Sequence, residues 1–445
     1  MTLGLASRRA SRRWPRGGAR GGLRGKAGRR WDNAAMSHDV CDHYGRLLKL
    51  PAPWKVTEVG EDFDRERVMV RVEWPKRATA PCPVCRRPSP VYDHMAERTW
   101  RHQGVMQYTL DLRCAVPRCQ CPDHGVKTIG VPWAEPGSRF TVLFERTAVE
   151  ALVACHTVRQ AEELLKLDWD SCQRIMERAV ARGLERRKLD KLRYVGLDEK
   201  SFLRGQNYIS LMTDIVGRRV LEVVRGNTED SARELWQSLP EEQRASVEAA
   251  AMDMWDAFIG ATKTEAPQCD IVHDRFHVSK QLNDAVDQTR RAESARLDEK
   301  GDDSLKGTRY LWLKGTVPDR QQPTFSDLLE RNLKTAKAWY YKELFVEFWG
   351  QEDLDAGRTF FKDWYKRAIH TRLGKIKKVA RTLKEHLPHL LTYFLHRITN
   401  AITEGFNSRI QAIKSAARGF RNFAHYRIRI LFFCGKLDLM PKCPV

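Results

Sequence analysis

The sequence predicts an α/β multidomain protein, and three observations carry that prediction. Two spaced cysteine pairs, Cys82 with Cys85 and Cys114 with Cys119, bracket a β-rich stretch. Three helical segments with short connections follow between Phe140 and Lys188. From Tyr194 onward strand-like and helical runs alternate, with Asp198 and Asp253 each ending an apolar run and Glu404 on an amphipathic helix far downstream.

The chain carries 78 Lys or Arg against 57 acidic residues, a formal net charge of +21 and a pI near 9.6. Such an excess attracts polyanions and makes their binding salt-dependent. Ten of those cations, with no acid and many glycines, lie in residues 1–31, and taking them from +21 leaves a body that is still basic at +11. A leader of this composition suits a disordered nucleic-acid-binding arm, a transit peptide, or upstream DNA translated from a misassigned start. The third reading is preferred, with residues 1–35 as basic leader, Met36 as the start, and residues 36–78 as a lead-in. No run is long and apolar enough to span a bilayer and no secretory segment follows Met1, so a soluble, cytoplasmic, nucleoid-associated protein is expected.

Residues 79–135 read as a zinc ribbon. Eleven cysteines, an odd number, argue against a disulfide framework. Cys82 and Cys85 are separated by two residues, Cys114 and Cys119 by four, and the stretch from Thr99 to Leu112 lies between the pairs. That arrangement suits two knuckles presenting four thiolates to Zn²⁺, a structural site because no coordination position is left for water. Cys121 and His124 crowd the second knuckle and leave its ligand set open, while Cys155 and Cys172 sit on apolar helical faces and read as core.

In residues 140–188 the helices are expected at 141–154, 158–167 and 169–187. The third has an apolar stripe of Trp169, Cys172, Ile175, Met176, Ala179 and Val180, and a basic one of Arg174, Arg178, Arg182 and Arg186. This suits a DNA-binding helix-turn-helix with its third helix in a groove, although a solvated basic face has the same pattern.

After Val195 and Leu197 comes Asp198; Asn207 to Thr213 and Arg219 to Val224 are β-rich, with Gly217 in their turn. A helix start at Asp230, the short run ending at Asp253, and a strand from Cys269 to Asp274 complete the series. Three strands, a helix, a strand, a helix and a strand is the order of a ribonuclease-H-like mixed sheet, with residues 192–297 as the first part of the catalytic core. The 151 positions from Asp253 to Glu404 exceed a simple crossover. Helical spacing over 275–297, 324–349, 358–370 and 374–394 gives a large helical insertion, residues 298–397, before the third carboxylate, and residues 398–435 are core C-terminal helices. There Phe406, Ile410, Ile413 and Ala417 share one face, and Glu404, Asn407, Gln411, Lys414 and Arg418 the other. The segment from Ser415 reads as a continuation of this helix, with Arg418, Arg421, Arg427 and Arg429 as channel-lining candidates without assigned roles.

An Asp at a strand end is more often a turn former or helix cap than a metal ligand. Three acids in these contexts together reverse those odds and suit a pair of divalent cations; hard oxygen ligands favour Mg²⁺ or Mn²⁺ over Zn²⁺. Asp274, Asp256 and Glu199 compete for the second position; Asp253 is preferred, with Asp274 either supporting it or capping the helix at Arg275.

From about Tyr44 to Gly435 the chain resembles the DDE transposases of the bacterial insertion-sequence L-three family. The residues carrying the resemblance are Gly196-Leu197-Asp198-Glu199, Met252-Asp253-Met254-Trp255, His273-Asp274-Arg275-Phe276-His277-Val278, Glu404-Gly405-Phe406-Asn407 and Arg418-Gly419-Phe420-Arg421-Asn422-Phe423. The resemblance implies an enzyme that cuts DNA at insertion-sequence ends and joins the 3′ hydroxyl to target DNA. Asp198, Asp253 and Glu404 would hold two Mg²⁺ ions, His277 would contact the scissile phosphate, and terminal repeats would be read by the helix-turn-helix. By analogy it implies a homo-oligomer, at least a dimer on DNA. Two alternatives are a catalytically silent DNA-binding regulator and a metal-dependent structure-specific nuclease.

Overall fold

The structure, a computed structural model, describes residues 38–155, 157–188, 192–203 and 207–442. The leader at 1–35 and the start at Met36 lie outside the described residues. The chain divides into two compact units, residues 1–99 with 104–130, and residues 100–103 with 131–445. Among the described residues no helix is long and apolar enough to cross a membrane.

The first unit opens with helix α1 (His38–Leu47) and strands β1 (Lys55–Asp62) and β2 (Arg67–Glu73). Short strands β3 (Ala80–Pro81), β4 (Pro88–Ser89) and β5 (Val91–His94) follow, then β6 (Arg98–Val105), β7 (Tyr108–Cys114), β8 (Pro117–Cys121) and β9 (Gly125–Thr128). The sheet order is β1-β2-β7-β6, with β3-β4 and β5-β8-β9 as separate small sheets. Val68, Val70 and Val72 alternate with the less buried Arg67, Met69, Arg71 and Glu73 along β2 and are buried with Leu110 and Leu112 of β7, the period-two pattern of a half-covered sheet.

The second unit begins with helices α2 (Val142–Ala154), α3 (Val158–Leu165) and α4 (Trp169–Glu185). Each starts where a side chain caps it: Thr141 accepts from Phe144 N, Thr157 forms a capping box with Gln160, and Asp168 accepts from Ser171 N.

Strands β10 (Tyr194–Leu203), β11 (Asn207–Asp214), β12 (Arg219–Arg225), β13 (Ala249–Met252) and β14 (Asp270–His273) form one sheet in the order β12-β11-β10-β13-β14. The first three are antiparallel to their neighbours, whereas β10, β13 and β14 run parallel. Helices α5 (Glu229–Gln237), α6 (Glu241–Ala245) and α7 (Asp256–Glu265) make the crossovers. Leu235, Trp236 and Phe258 pack with Val195 and Leu197 on one face of the sheet.

Helix α8 (Arg275–Asp298) leads into α9 (Arg309–Leu313), α10 (Gln322–Glu330), α11 (Lys334–Val346), α12 (Leu354–Ile369), α13 (Gly374–Glu385), α14 (Leu387–Leu391) and α15 (Tyr393–His396). Two helices expected to be continuous are broken. Arg331 to Leu333 separate α10 from α11, and His386 separates α13 from α14, whose second residue, Pro388, has no amide proton. These helices enclose their own core around Trp312, Phe345, Phe348, Phe361 and Trp364, so the aromatics are packing residues. They meet the sheet through His273 Nε2 with His386 Nδ1 at 3.2 Å and His396 Nε2 with Asp270 at 2.8 Å.

The chain returns as α16 (Ala401–Ala416) and α17 (Phe423–Cys434). The expected continuation past Ser415 fails because Arg418 and Gly419 adopt left-handed backbone, φ 54° and 96°, and Asn422 caps a new helix. Helix α17 joins one core with α4 and the β11 and β12 side chains, among them Tyr426, Ile430, Met176, Leu211 and Val223.

Against β10, α16 finds room at Gly196: a Cβ there would press on Thr403 Oγ1 and lie 2.6 Å from Asn400 Oδ1 and 2.7 Å from Thr213 Oγ1. Gly196→Ala is expected to destabilise the protein by about 1–3 kcal/mol, the range for overpacking a filled interior. Gly405→Ala in α16, where nothing lies within 4 Å of the added carbon, is expected to be neutral or slightly stabilising. Equilibrium denaturation of the two variants side by side checks the pair.

Candidate active site and metal centres

Register brings the acids together. Gly196 of β10 pairs with Ala251 of β13, so Asp198 and Asp253 stand level, each two residues further on. Met252 pairs with His273, which puts Asp253 beside Asp274 at the next step. Asp198, midway along β10, therefore stands level with Asp253 and Asp274, which follow the C-terminal ends of the parallel strands β13 and β14, where loops and helix starts leave room for a ligand.

Glu404 arrives on α16, whose polar stripe is bonded to β10 and, through Thr403, to β11. Asn400 Nδ2 donates to Leu197 O at 3.0 Å, Thr403 Oγ1 meets Thr213 Oγ1 at 2.7 Å, and Lys414 Nζ donates to Ser201 O at 3.2 Å. Asn407 Nδ2 donates to Asp198 Oδ2 at 2.6 Å, while Asp198 Oδ1 accepts from the Glu199 amide at 2.8 Å. One turn before Asn407, Glu404 offers a ligand atom within 4.8 Å of those of Asp274 and His277.

Asp274 is the residue preceding α8, yet its side chain makes no capping bond, and its Oδ2 lies 3.5 Å from His277 Nδ1. The carboxylate is thus turned into the acidic group rather than spent on the helix. Asp256 is exposed in the first turn of α7, and Glu199 accepts from Asn227 Nδ2 at 2.8 Å.

Crowded carboxylates away from water resist ionisation. Burial raises the Asp198 pKa from 3.8 to about 7, with the charges of Asp253 and Glu404 adding to the effect. Burial also raises Asp253 and Glu404. His277 shifts upward, first through its bond to Asp274 and then through the charges of Asp253, Asp274 and Asp198. Asp253 Oδ1, Asp274 Oδ2 and Glu404 Oε1 are buried with no hydrogen-bond donor. The carboxylates of Asp274 and Glu404, close to each other and to His277, fit a hard divalent cation; that close group does not include Asp198 or Asp253.

A second donor group lies in the first unit. Cys82, Cys85, Cys121 and His124 offer ligand atoms that all fall within 4.8 Å of one another. They sit on two tight turns: the β3–β4 hairpin, closed by Arg86 N to Cys82 O at 2.8 Å, and the β8–β9 hairpin, whose last pair is Cys121 with Gly125. The His124 ring lowers the Cys121 pKa to about 6, toward the thiolate that binds metal.

This donor group shares Cys82 and Cys85 with the expected set and holds Cys121 and His124 in place of Cys114 and Cys119. Cys114 ends β7 inside the larger sheet, where burial pushes its thiol up to about 12. Cys119 is a buried neighbour of Cys82, outside the four-donor group. The missed signal was that Cys121-Pro122-Asp123-His124 repeats the two-residue spacing of Cys82-Pro83-Val84-Cys85.

The basic stripe of α4 needs a similar correction. Arg182 is buried and bridges Glu145, at 3.0 Å, and Glu135. Arg178 pairs with Glu145 at 2.7 Å, and Arg186 bonds Met440 O at 2.7 Å and Asp438 at 3.4 Å. Only Arg174 of the four is exposed, so the other three hold α4 against α2 and the C-terminal segment.

A protein-family model described as a transposase matches residues 195–430, and one described as the helix-turn-helix domain of transposase family ISL3 matches residues 131–180. The transposase for insertion sequence element IS1001 of Bordetella parapertussis is 24% identical over 380 residues, covering 81% of this chain and 93% of that protein. The transposase for insertion sequence element IS1557 of Mycobacterium tuberculosis, in each of two strains, is 24% identical over 387 residues, covering 81% of this chain and 86% of that protein.

The raised carboxylates set a pH dependence. Between the ordinary carboxylate value and about 7 the folded, metal-free protein holds protons on Asp198 that the unfolded chain has released, so stability falls as pH rises through that window. His277, also raised, acts in the same direction. Asp253→Asn is expected to unfold at a higher temperature than the wild type at about pH 8 in chelator, with the difference shrinking toward about pH 5. Thermal unfolding at several pH values checks it.

Proposed function

Because the chain belongs to the ISL3 family of transposases, we propose that it cuts DNA at the ends of an insertion sequence. It then joins the freed 3′ hydroxyl to a target phosphodiester. The observation that carries this reading is the donor group of Asp274, His277 and Glu404, within 4.8 Å of one another, beside Asp198 and Asp253, whose pKa values are raised by burial and by neighbouring acids. We read the β12-β11-β10-β13-β14 sheet as a ribonuclease-H-like core, and α9 to α15 as an insertion before its third carboxylate.

Asp198, Asp253 and Glu404 would hold divalent cations, Mg²⁺ or Mn²⁺, with Asp274 beside them. Such cations, when bound, polarise the phosphodiester and lower the pKa of the attacking water or hydroxyl. The chain's own part is to fix the ligands: Asn407 orients Asp198 through its 2.6 Å bond, and the α16 stripe holds Glu404 in place. Asp274, 3.5 Å from His277 Nδ1, raises the His277 pKa and so favours the imidazolium. An imidazolium repels a cation and attracts a phosphate oxygen, so His277 would bind the scissile phosphate rather than metal.

The helices α3 and α4 would read the terminal repeats, with Arg174 as the exposed cation of the stripe. Cys82, Cys85, Cys121 and His124 would hold Zn²⁺, a closed set of four donors that stiffens two hairpins. Work at two DNA ends would require at least a dimer.

Two measurements test these assignments. In a strand-cleavage and joining assay on labelled insertion-sequence ends with Mn²⁺ and an acceptor duplex, the wild type should form joined product. Asp198→Asn, Asp253→Asn and Glu404→Gln should each lose at least about 100-fold while still binding DNA. Cleavage without joined product would make the protein a nuclease, and binding without cleavage a regulator. Zinc content by elemental analysis should be about one per chain in the wild type and in Cys114→Ser, and lost in Cys121→Ser; the reverse pattern would restore the Cys114 assignment.

A further inference from the structure

A cleft of about 1110 Å³ lies between α3 and α4 on one side and α16, α17 and their connecting turn on the other. Arg429 of α17 lines it, is only 6% exposed, and makes no hydrogen bond or ion pair among the described residues; its Nε is buried without an acceptor. Burial lowers its pKa only to about 10, so the guanidinium stays charged at neutral pH. Glu162, the acid lining the same cleft, acts on it across space without pairing.

A buried cation with no partner is unfavourable unless an anion completes it. The rim adds charge of the same sign: Arg409, Arg418 and Arg421 are exposed and unpaired among the described residues. At the edge stands Trp169, 42% exposed, its ring 5.3 Å from that of His425. Cations around an exposed indole are the components of a site for an unstacked nucleotide.

We propose that this cleft binds an unpaired nucleotide of a DNA strand, its phosphate on Arg429 and its base against Trp169. Phosphates of an intact duplex lie on the outside of a cylinder and would meet the rim arginines, whereas reaching Arg429 takes a strand end or an extruded nucleotide. The proposal rests on the reading of this protein as one that processes DNA ends, and assigns these residues a role apart from the carboxylates.

The test is fluorescence anisotropy of a labelled ten-nucleotide single strand and of a labelled duplex, with full-length protein in chelator so that nothing is cut. Arg429→Gln, Arg421→Ala and Trp169→Ala should each weaken single-strand binding, Arg429→Gln by about tenfold or more. Arg429→Gln and Trp169→Ala should leave duplex affinity within about threefold, whereas Arg421→Ala, on the rim, should weaken both, and Arg429→Lys should recover part of the loss. Unchanged single-strand binding in all three variants, or equal loss of single strand and duplex in Arg429→Gln or Trp169→Ala, overturns the proposal. Should Arg429→Gln fail to fold, Trp169→Ala decides. A thymidine nucleotide should compete with the strand far better than inorganic phosphate; equal competition would reduce the cleft to a simple anion site and overturn the nucleotide assignment. Failure of the cleavage assay with intact discrimination here would count against transposition and not against this site.

Discussion

The acidic site depends on α16 lying flat against β10, and that contact exists because position 196 has no side chain. The helix is joined to the strand by polar contacts from Asn400, Thr403, Asn407 and Lys414, which recur at helical spacing along one stripe. Directional bonds of this kind fix rotation and axial position together, which apolar packing alone does less sharply. Glu404 shares that stripe, so the same contacts that dock the helix also set its carboxylate.

What the docking creates is electrostatically unfavourable. Asp198, Asp253, Asp274 and Glu404 share a poorly hydrated space in which His277 is the positive group acting on Asp198, Asp253 and Glu404 alike. A protein selected only for stability would fill this edge with apolar residues or disperse the acids. The apolar layers on either side supply the compensation: Leu235, Trp236 and Phe258 lie under one face, and Tyr426 and Ile430 belong to the core that includes α17.

Arginines of similar sequence context have opposite fates. Arg178 and Arg182 end on the buried Glu145, and Arg427 on Glu222 at 2.6 Å, so their charge is consumed internally. Arg429, two residues beyond Arg427, turns to the other side of α17 and meets a cleft instead of a carboxylate. Part of the positive charge of the described residues therefore holds helices together, while Arg174 and the arginines at the rim of the cleft stay exposed.

Periodicity and spacing by themselves determined the elements. The alternation of Val195 and Leu197, the short run before Asp253 and the amphipathic Glu404 helix are local patterns, written in neighbouring residues because backbone geometry sets periods of two and 3.6. The nearness of Asp198 to Asp253 follows from the parallel register of β10 and β13, which the strand order implied. Three things were left to the tertiary structure. Asp274 joins the acidic group because its side chain turns inward and leaves the α8 cap unmade. Cys121 and His124 come close to Cys82 and Cys85 because two hairpin turns meet, while β7 buries Cys114 in the larger sheet. The arginine stripe of α4 closes on Glu135 and Glu145, distant along the chain and adjacent only after folding. Which donor meets which acceptor is a property of packing, and packing joins residues that no local period relates.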